Sequence, residues 1–337
     1  MLRLDGIGPL RSYRVLFVTS QWPTASNPHH SPYLVSKVKS LRQSGVEVDV
    51  YHYRGQWNPL YYIQAVGGLW KRIGQTPYDL VYAFFGQCGL VATSQRRLPV
   101  VVRFGGSDLI GWHDQQGREP FASMILRTVS RLAARRADMV MIPEPGMAVY
   151  LPRCEYIAFP DGIDLELFQP CDRMKARREL GFPEGKKLVL FAADPSRVVK
   201  RYELARAAVE IAGQKHSVEL VVAGSEPHER MPLYMNACDV LVLTSQHEGS
   251  PNVVKEALAC NLPIVSVDVG DVRSRIGSAP NCVVCETDDP NEIADALNRI
   301  LQHGNKSNLR DWVLDLDMRR VAQREIEVFA MAVAMKK

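Results

Sequence analysis

Apolar residues fall in short, nearly continuous runs along this chain, separated by polar segments and by glycine- and proline-containing stretches. The runs Arg14–Thr19 (RVLFVT), Val46–Tyr51 (VEVDVY), Asp79–Ala83, Pro99–Phe104 (PVVVRF) and Asp138–Ile142 (DMVMI) are rich in β-branched residues and predict buried strands. Hydrophobicity that is continuous rather than alternating is the mark of parallel strands covered on both faces. Helical patterns lie between several of these runs, as at Leu34–Gln43 and Met124–Arg136. Strand alternating with helix predicts a doubly wound α/β domain.

The pattern begins again after Pro183. Lys187–Ala192 (KLVLFA), Val218–Ala223 (VELVVA), Asp239–Leu243 (DVLVL), Pro263–Val267 and Cys282–Cys285 form a second set of strand-like runs. Between the two sets lies Phe159–Pro183, rich in Pro, Gly and Asp, which reads as a hinge. The expected architecture is therefore two Rossmann-like domains, residues 1–165 and 172–317, followed by a helical stretch over Met318–Met335 that can pack on either. In such sheets ligands bind at the carboxyl ends of strands, and a cleft between two such domains is the default site. Neither half contains G-x-G-x-x-G or G-x-x-x-x-G-K-[ST], which argues against an ordinary NAD or FAD dehydrogenase and against a P-loop NTPase.

Composition narrows the class further. The 337 residues are 46% hydrophobic and 23% charged, ordinary for a globular enzyme. A net charge of +4 is too mild for a dense nucleic-acid-binding face, yet it suits anionic small molecules or an acidic membrane surface. The seven cysteines are odd in number and irregularly spaced, as expected for buried free thiols in a reducing compartment. Cys282 and Cys285 form a C-x-x-C without the second pair or the histidines that a zinc site would need. Met1–Tyr13 has charges and no apolar core, so no secretory leader is expected there. No stretch approaches the roughly 18 apolar residues of a membrane span. The expected location is cytoplasmic, with peripheral contact at the inner face of the membrane.

The stretch Leu241–Asp271 (LVLTSQHEGSPNVVKEALACNLPIVSVDVGD) holds the most chemistry. A strand ends near Thr244, a polar loop with Glu248-Gly249-Ser250-Pro251 follows, and a helix is predicted from about Asn252 to Cys260. Free N–H groups at that helix start, with the positive end of its dipole, favour an anion such as a diphosphate. Gly249 admits a close approach to the backbone. Glu248 and Glu256, with seven residues between them, do not face each other as a glycosidase pair would. They suit two parts of one long ligand, since carboxylates accept hydrogen bonds from sugar hydroxyls. A capping loop followed by a helix-surface glutamate is the plain structural alternative.

This stretch resembles the E-x7-E signature of glycosyltransferase family 4, whose fold is GT-B, and Tyr234–Asp271 is similar to members that build bacterial cell-surface polysaccharides. Arg14–Val50 resembles the family's first strand–loop–helix–strand unit. Asp79–Leu109 resembles its acceptor-facing segment, and Phe159–Pro170 (FPDGIDLELFQP) its entry into the second domain. The resemblance implies that the final helix, 318–337, packs back on the N-terminal domain. It implies a phosphate-binding basic pair at Arg197 and Lys200, with Arg201 able to replace either. Catalytic roles are implied at Arg197, Lys200 and Glu248, donor contacts at Gly249, Ser250, Asn252, Glu256 and Met231, and an acceptor side at Gly105, Ser107, Asp108 and His113. Departures stand beside these matches. The first loop, Ser20–Tyr33, has no glycine where members often carry Gly-Gly, and Gly105 stands where many have a histidine. Tyr82-Ala83-Phe84 replaces a frequent H-A-H, and Asn261 a frequent glycine.

The function so implied is retaining transfer of a sugar from a nucleotide-diphosphate donor to a glycan or lipid-linked acceptor, with no cofactor and no metal. Lys200, Arg197 and the amides near Gly249 and Ser250 would stabilise the leaving phosphate. Asp315-Leu316-Asp317 matches the D-x-D of metal-dependent transferases but sits at the start of the last helix, where a cap is the plain reading. Two other readings remain: a nucleotide-sugar epimerase using side chains such as His113, Asp108 and Asp114, and a silent donor-binding subunit. Arg54–Gln75 interleaves Trp57, Tyr61, Tyr62 and Trp70 with Arg54, Lys71 and Arg72. That mixture suits an anionic lipid interface or a helix packed on its own domain.

Overall fold

The computed structural model describes residues 12–24, 31–55, 58–112, 114, 118–215, 217–303 and 308–336. The chain divides into two compact units, one made of the residues up to Gly162 with those from Met318 onward, the other of Ile163–Asp317. Each is built on a parallel sheet, as the continuous apolar runs predict, and the architecture is the expected pair of Rossmann-like domains.

In the first unit the elements run β1 (Arg14–Thr19), α1 (Pro32–Gln43), β2 (Glu47–His52), α2 (Pro59–Gln75), β3 (Leu80–Phe84), α3 (Gly86–Ala92), β4 (Val100–Arg103), α4 (Ser107–Ile110), α5 (Phe121–Arg136), β5 (Met139–Ile142) and β6 (Tyr156–Ala158). The strands form a six-stranded sheet in the order β2-β1-β3-β4-β5-β6, every pairing parallel. The sequence signalled five of these strands. The sixth, β6, is a three-residue edge strand whose run is too short to stand out beside the proline-broken Pro143–Pro152 segment.

The second unit runs α6 (Arg173–Leu180), β7 (Lys187–Phe191), α7 (Tyr202–Ala212), β8 (Val218–Val222), α8 (Met231–Ala237), β9 (Val240–Leu243), α9 (Asn252–Ala259), β10 (Ile264–Val267), α10 (Val272–Ile276), β11 (Val283–Cys285) and α11 (Pro290–His303). Its five strands are parallel in the order β11-β10-β9-β7-β8. Both sheets therefore contain a point where successive strands turn to opposite sides. In the first unit it lies between β1 and β3, in the second between β7 and β9. Crevices open at such points beyond the carboxyl ends of the strands.

The last helix, α12 (Met318–Lys336), belongs to the first unit. Its Val321, Ala322, Ile326, Phe329 and Ala332 join the core under β1, β3 and α1, and Phe329 meets Tyr82 edge-on at 5.1 Å between ring centres. The helix also buries a charge. Glu325, 1% exposed, accepts hydrogen bonds from Lys37 Nζ at 2.6 Å and Tyr82 Oη at 2.8 Å. Lys37 pairs in turn with Asp161 at 2.9 Å, and Asp161 with the fully buried Arg103 at 2.9 Å. Burial alone would lower the Arg103 pKa, but the charge and hydrogen bond of Asp161, with Tyr82 and Glu325, together outweigh it and hold the guanidinium above its ordinary value. Two cations and two anions thus neutralise each other where the chain leaves this unit at Gly162 and re-enters it at Met318.

Asp315-Leu316-Asp317 falls at that re-entry. Asp315 and Leu316 end a 3-10 turn and Asp317 bridges to Ile163, while Asp315 lies 3.6 Å from Arg275. The seven cysteines are all free.

Removing one partner of a buried ion pair leaves the other charge uncompensated. Lys37→Met should therefore lower the unfolding free energy by about 3–5 kcal/mol in a urea titration. A loss below about 1 kcal/mol, the scale of an exposed pair, would show that the cluster does not carry this unit.

Candidate active site

The chemistry-bearing residues of the second unit lie on loops that follow strands. Asp194–Arg201 follows β7, Ser225–Arg230 follows β8, and Ser245–Pro251 follows β9. All therefore stand at the carboxyl edge of one parallel sheet. The loops after β7 and β9 flank the crevice where the strand order reverses.

These two loops are stitched together. Thr244, buried just past β9, shares its hydroxyl proton between the carbonyls of Lys200 and Arg201 at 2.9 and 3.1 Å. Gln246 N donates to Val199 O at 2.8 Å. Arg201, with a left-handed φ of 50°, turns its guanidinium back onto the carbonyls of Thr244 and Ser245 and onto Asp288. Arg201 is thereby committed to holding the loop, which leaves Lys200 as the directed cation. Lys200 Nζ lies 2.5 Å from Glu248 Oε1, with both side chains largely buried. Arg197 is exposed, and its guanidinium has no ion-pair partner among the described residues.

Beyond Glu248 the loop is fixed by α10. Asp271 N donates to Gly249 O at 3.1 Å, and Ser250 Oγ donates to Asp271 Oδ2 at 2.7 Å. A Cβ at Gly270 would stand 2.3 Å from Gly249 O, and its φ is +56°, so only glycine lets the two loops meet. Helix α9 then starts at Asn252 after Pro251, with no side chain capping it. Two polar atoms at this strand-to-helix turn, Ser245 Oγ and Asn252 Oδ1, are buried without a hydrogen-bond partner among the described residues. An uncapped helix start beside unpaired polar atoms is suited to an anionic, hydroxyl-rich ligand.

Glu256 lies a turn inside α9 and is 7% exposed, not on the helix surface. Its Oε1 is 3.0 Å from His228 Nε2. His228 sits in the short turn before α8, with its ring edge-on to the buried Phe168 at 5.2 Å. Burial pulls the His228 pKa down, but the Glu256 hydrogen bond and charge, with Glu229 and Asp164, outweigh it and hold the imidazole above its ordinary value. Met231, the first residue of α8, is buried three residues further on. The sequence reading missed His228, Ser245 and Asp271. For His228 the available signal was its place in a loop directly after a parallel strand.

In the first unit Gly105, Ser107 and Asp108 follow β4. Ser107 is exposed. Asp108 is buried, and its carboxylate accepts from the amides of Gly86, Gly105 and Gly106 at 2.9–3.0 Å. It ties the loops after β3 and β4 together. Burial raises its pKa against those bonds. Asp114 accepts from Arg118 N and Nε, and His113 lies outside the described residues. Among the described residues no group of three or more His, Cys, Asp or Glu side chains could hold a metal ion.

Residues 205–303 match the family model described as glycosyl transferases group 1. The chain is 26% identical over 241 residues to the putative teichuronic acid biosynthesis glycosyltransferase TuaC of Bacillus subtilis, covering 66% of this chain and 61% of that protein. It is 26% identical over 271 residues to D-inositol 3-phosphate glycosyltransferase 1 of Catenulispora acidiphila, covering 66% and 64%. The match thus spans less than two thirds of the length of these relatives. Among solved structures, a sucrose-phosphate synthase from Thermosynechococcus elongatus superposes with a TM-score of 0.68 at 18% identity, over 96% of this chain and 97% of that one. Anabaena HepE in complex with UDP-glucose gives 0.65 at 16%, over 96% and 98%. The chain is a GT-B protein. Residues 205–303, which resemble the group 1 glycosyltransferases, include His228, Glu248 and Glu256.

Because His228 is held above its ordinary pKa of 6.5, its pairing with Glu256 stabilises the fold fully below that value. The contribution fades as pH rises through the higher folded-state pKa. As pH rises from below 6.5 into the alkaline range, the wild type should lose thermal stability that a His228→Gln variant does not lose. Parallel pH profiles for the two proteins would remove the charged pair.

Proposed function

We propose that this protein is a retaining, metal-independent glycosyltransferase. It moves a sugar from a nucleotide-diphosphate donor to a glycan or lipid-linked acceptor in cell-surface polysaccharide synthesis. The observation that carries this reading is the Lys200–Glu248 pair at the crevice between β7 and β9. It sets one cation and one carboxylate together beside the uncapped start of α9. HepE, which shares the fold, was solved with UDP-glucose, and TuaC is named for teichuronic acid biosynthesis. Both support a nucleotide-sugar donor and a polysaccharide product here.

In this reading the diphosphate lies at the start of α9, where amide N–H groups and the helix dipole already favour negative charge. Breaking the bond from sugar to phosphate leaves positive character on the sugar and negative charge on the leaving oxygen. Lys200, with Arg197 at the rim of the same loop, stabilises that charge as it develops. Glu248 turns to the hydroxyls of the transferred sugar and Glu256 to the ribose, oriented by His228. The acceptor hydroxyl enters on the side from which the phosphate leaves, so configuration is retained. In the first unit, Gly105 and Ser107 are the residues assigned to the acceptor.

The first unit also presents a surface suited to a membrane-borne acceptor. Helix α2 exposes Leu60 at 62%, Ile63 at 67% and Trp70 at 39%, with Lys71 and Arg72 exposed on the same helix. The Trp70 ring is covered by Arg97 and donates to Ser94, and Tyr62 packs on the domain core. Trp57 lies outside the described residues. No helix among the described residues is long and apolar enough to cross a membrane. Peripheral contact through Leu60 and Ile63, assisted by the neighbouring cations, is the fitting mode.

Turnover of a radiolabelled nucleotide sugar, with and without acceptor extract, tests the activity. Lys200→Ala should lower turnover by about a hundredfold, the weight of one donor to a developing anion. EDTA should leave the wild-type rate unchanged. Undiminished turnover in the variant, or activity that EDTA abolishes and Mg²⁺ or Mn²⁺ restores, would overturn this mechanism. Vesicle flotation tests the membrane contact. The wild type should float with anionic vesicles at low salt and lose them near 1 M, where the screening length falls to about 3 Å. A Leu60→Ser/Ile63→Ser variant should not float, and equal flotation of both would exclude α2.

A further inference from the structure

Phe85 is built against its own backbone preference. Its φ of 78° and ψ of 151° place a bulky residue in a region reserved almost entirely for glycine. Surrounding contacts hold it there. Phe85 N donates to Arg103 O at 2.8 Å, and Gly89 N donates to Phe85 O at 2.9 Å. The next residue, Gly86, is pinned by its N–H on Asp108 and by Ser130, whose Oγ would lie 1.9 Å from a Cβ at that position. The ring stands edge-on to Phe84 at 4.8 Å and lies over Gly105, where a Cβ would come within 2.7 Å of Phe85 Cε1. The ring's place therefore rests on two accommodations, a strained backbone beneath it and a glycine beside it. The ring also packs against both cores of this unit, yet core packing alone requires neither accommodation. Strain that the surroundings enforce is characteristic of functional positions.

Phe85 directly follows β3, and Ser20 directly follows β1. The strand order of this sheet reverses between β1 and β3, so both residues stand at its binding crevice. Gln87 joins the two loops by donating from Nε2 to Ser20 Oγ at 3.2 Å. Its other amide atom, Oε1, is buried and accepts no hydrogen bond among the described residues. A half-buried aromatic ring and an unused amide oxygen two residues along the chain bring one flat apolar surface and one hydrogen-bond acceptor to the same strand end.

We infer that Phe85 is a stacking platform for a pyranose ring, with Gln87 Oε1 accepting from one of its hydroxyls. This rests on the glycosyltransferase reading for the ligand class. The C–H face of a sugar packs on the electron-rich face of an aromatic ring, and the amide oxygen fixes the sugar's orientation. Phe85 acts by positioning and specificity, with no part in proton transfer.

The test uses the full chain as wild type, Phe85→Gly and Phe85→Tyr, with three readouts. These are thermal unfolding, calorimetric binding of UDP, and saturation-transfer NMR with methyl glucoside, galactoside, mannoside and N-acetylglucosaminide. Glycine relieves the backbone strain, so Phe85→Gly should unfold at the wild-type temperature or above it and keep its UDP affinity. It should lose about threefold or more of the saturation transferred to the glycoside that the wild type binds, and Phe85→Tyr should keep it. No transfer from the wild type to any glycoside, equal transfer from Phe85→Gly, or a lower unfolding temperature for Phe85→Gly would each overturn the proposal. Failure of the wild type to bind UDP, with ring-dependent transfer intact, would sink the donor reading and leave the platform standing.

Discussion

The candidate site of the second unit depends on one small lock, the fastening of the Val198–Arg201 turn to the end of β9. Thr244 holds two carbonyls of that turn, and Arg201 returns its guanidinium to the carbonyls of residues 244 and 245. The sheet's strand order places these loops on opposite sides of a crevice, and without the lock each would be free to drift. With it, Lys200 and Glu248 are brought to a 2.5 Å contact. Preorganisation of this kind is what lets a cation act on a developing charge without first being moved into place.

The same logic recurs wherever a loop meets a strand end. Asp271 fastens the Gly249–Ser250 turn through its amide and its carboxylate, and Asp108 fastens the loops after β3 and β4 through three amides. In the first unit the buried Lys37–Asp161–Arg103–Glu325 cluster ties α12 to α1 and to the sheet. Charges so deeply buried are tolerable only because each meets an opposite charge.

Much of this was legible in the sequence, because burial on both faces of a parallel sheet writes itself as continuous apolar runs. The strands RVLFVT and KLVLFA could be read that way, whereas the E-x7-E loop stood out only by its resemblance to a family signature. What escaped was set by contacts distant in sequence. Nothing near Glu256 says that it is buried and paired with a histidine 28 positions earlier. Arg201 and Lys200 are adjacent cations with no local distinction, and only the left-handed turn at Arg201 sends one to the loop and the other toward Glu248. Phe85 looked like one more apolar residue in YAFFG, because backbone strain leaves no trace in composition. The three-residue β6 was too short to declare itself.

The central claim is that Lys200 is a phosphate cation held in reserve by Glu248. Calorimetric titration of UDP into the wild type, Lys200→Ala, Glu248→Ala and the double variant tests it most directly. A diphosphate must compete with Glu248 for Lys200. The account therefore predicts that Glu248→Ala binds UDP at least as tightly as the wild type and that Lys200→Ala binds it about tenfold or more weakly, the weight of a charged hydrogen bond. It also predicts that Glu248→Ala gives no gain once Lys200 is gone. Equal UDP affinity in all four proteins, or an equal loss from either single substitution, would contradict it.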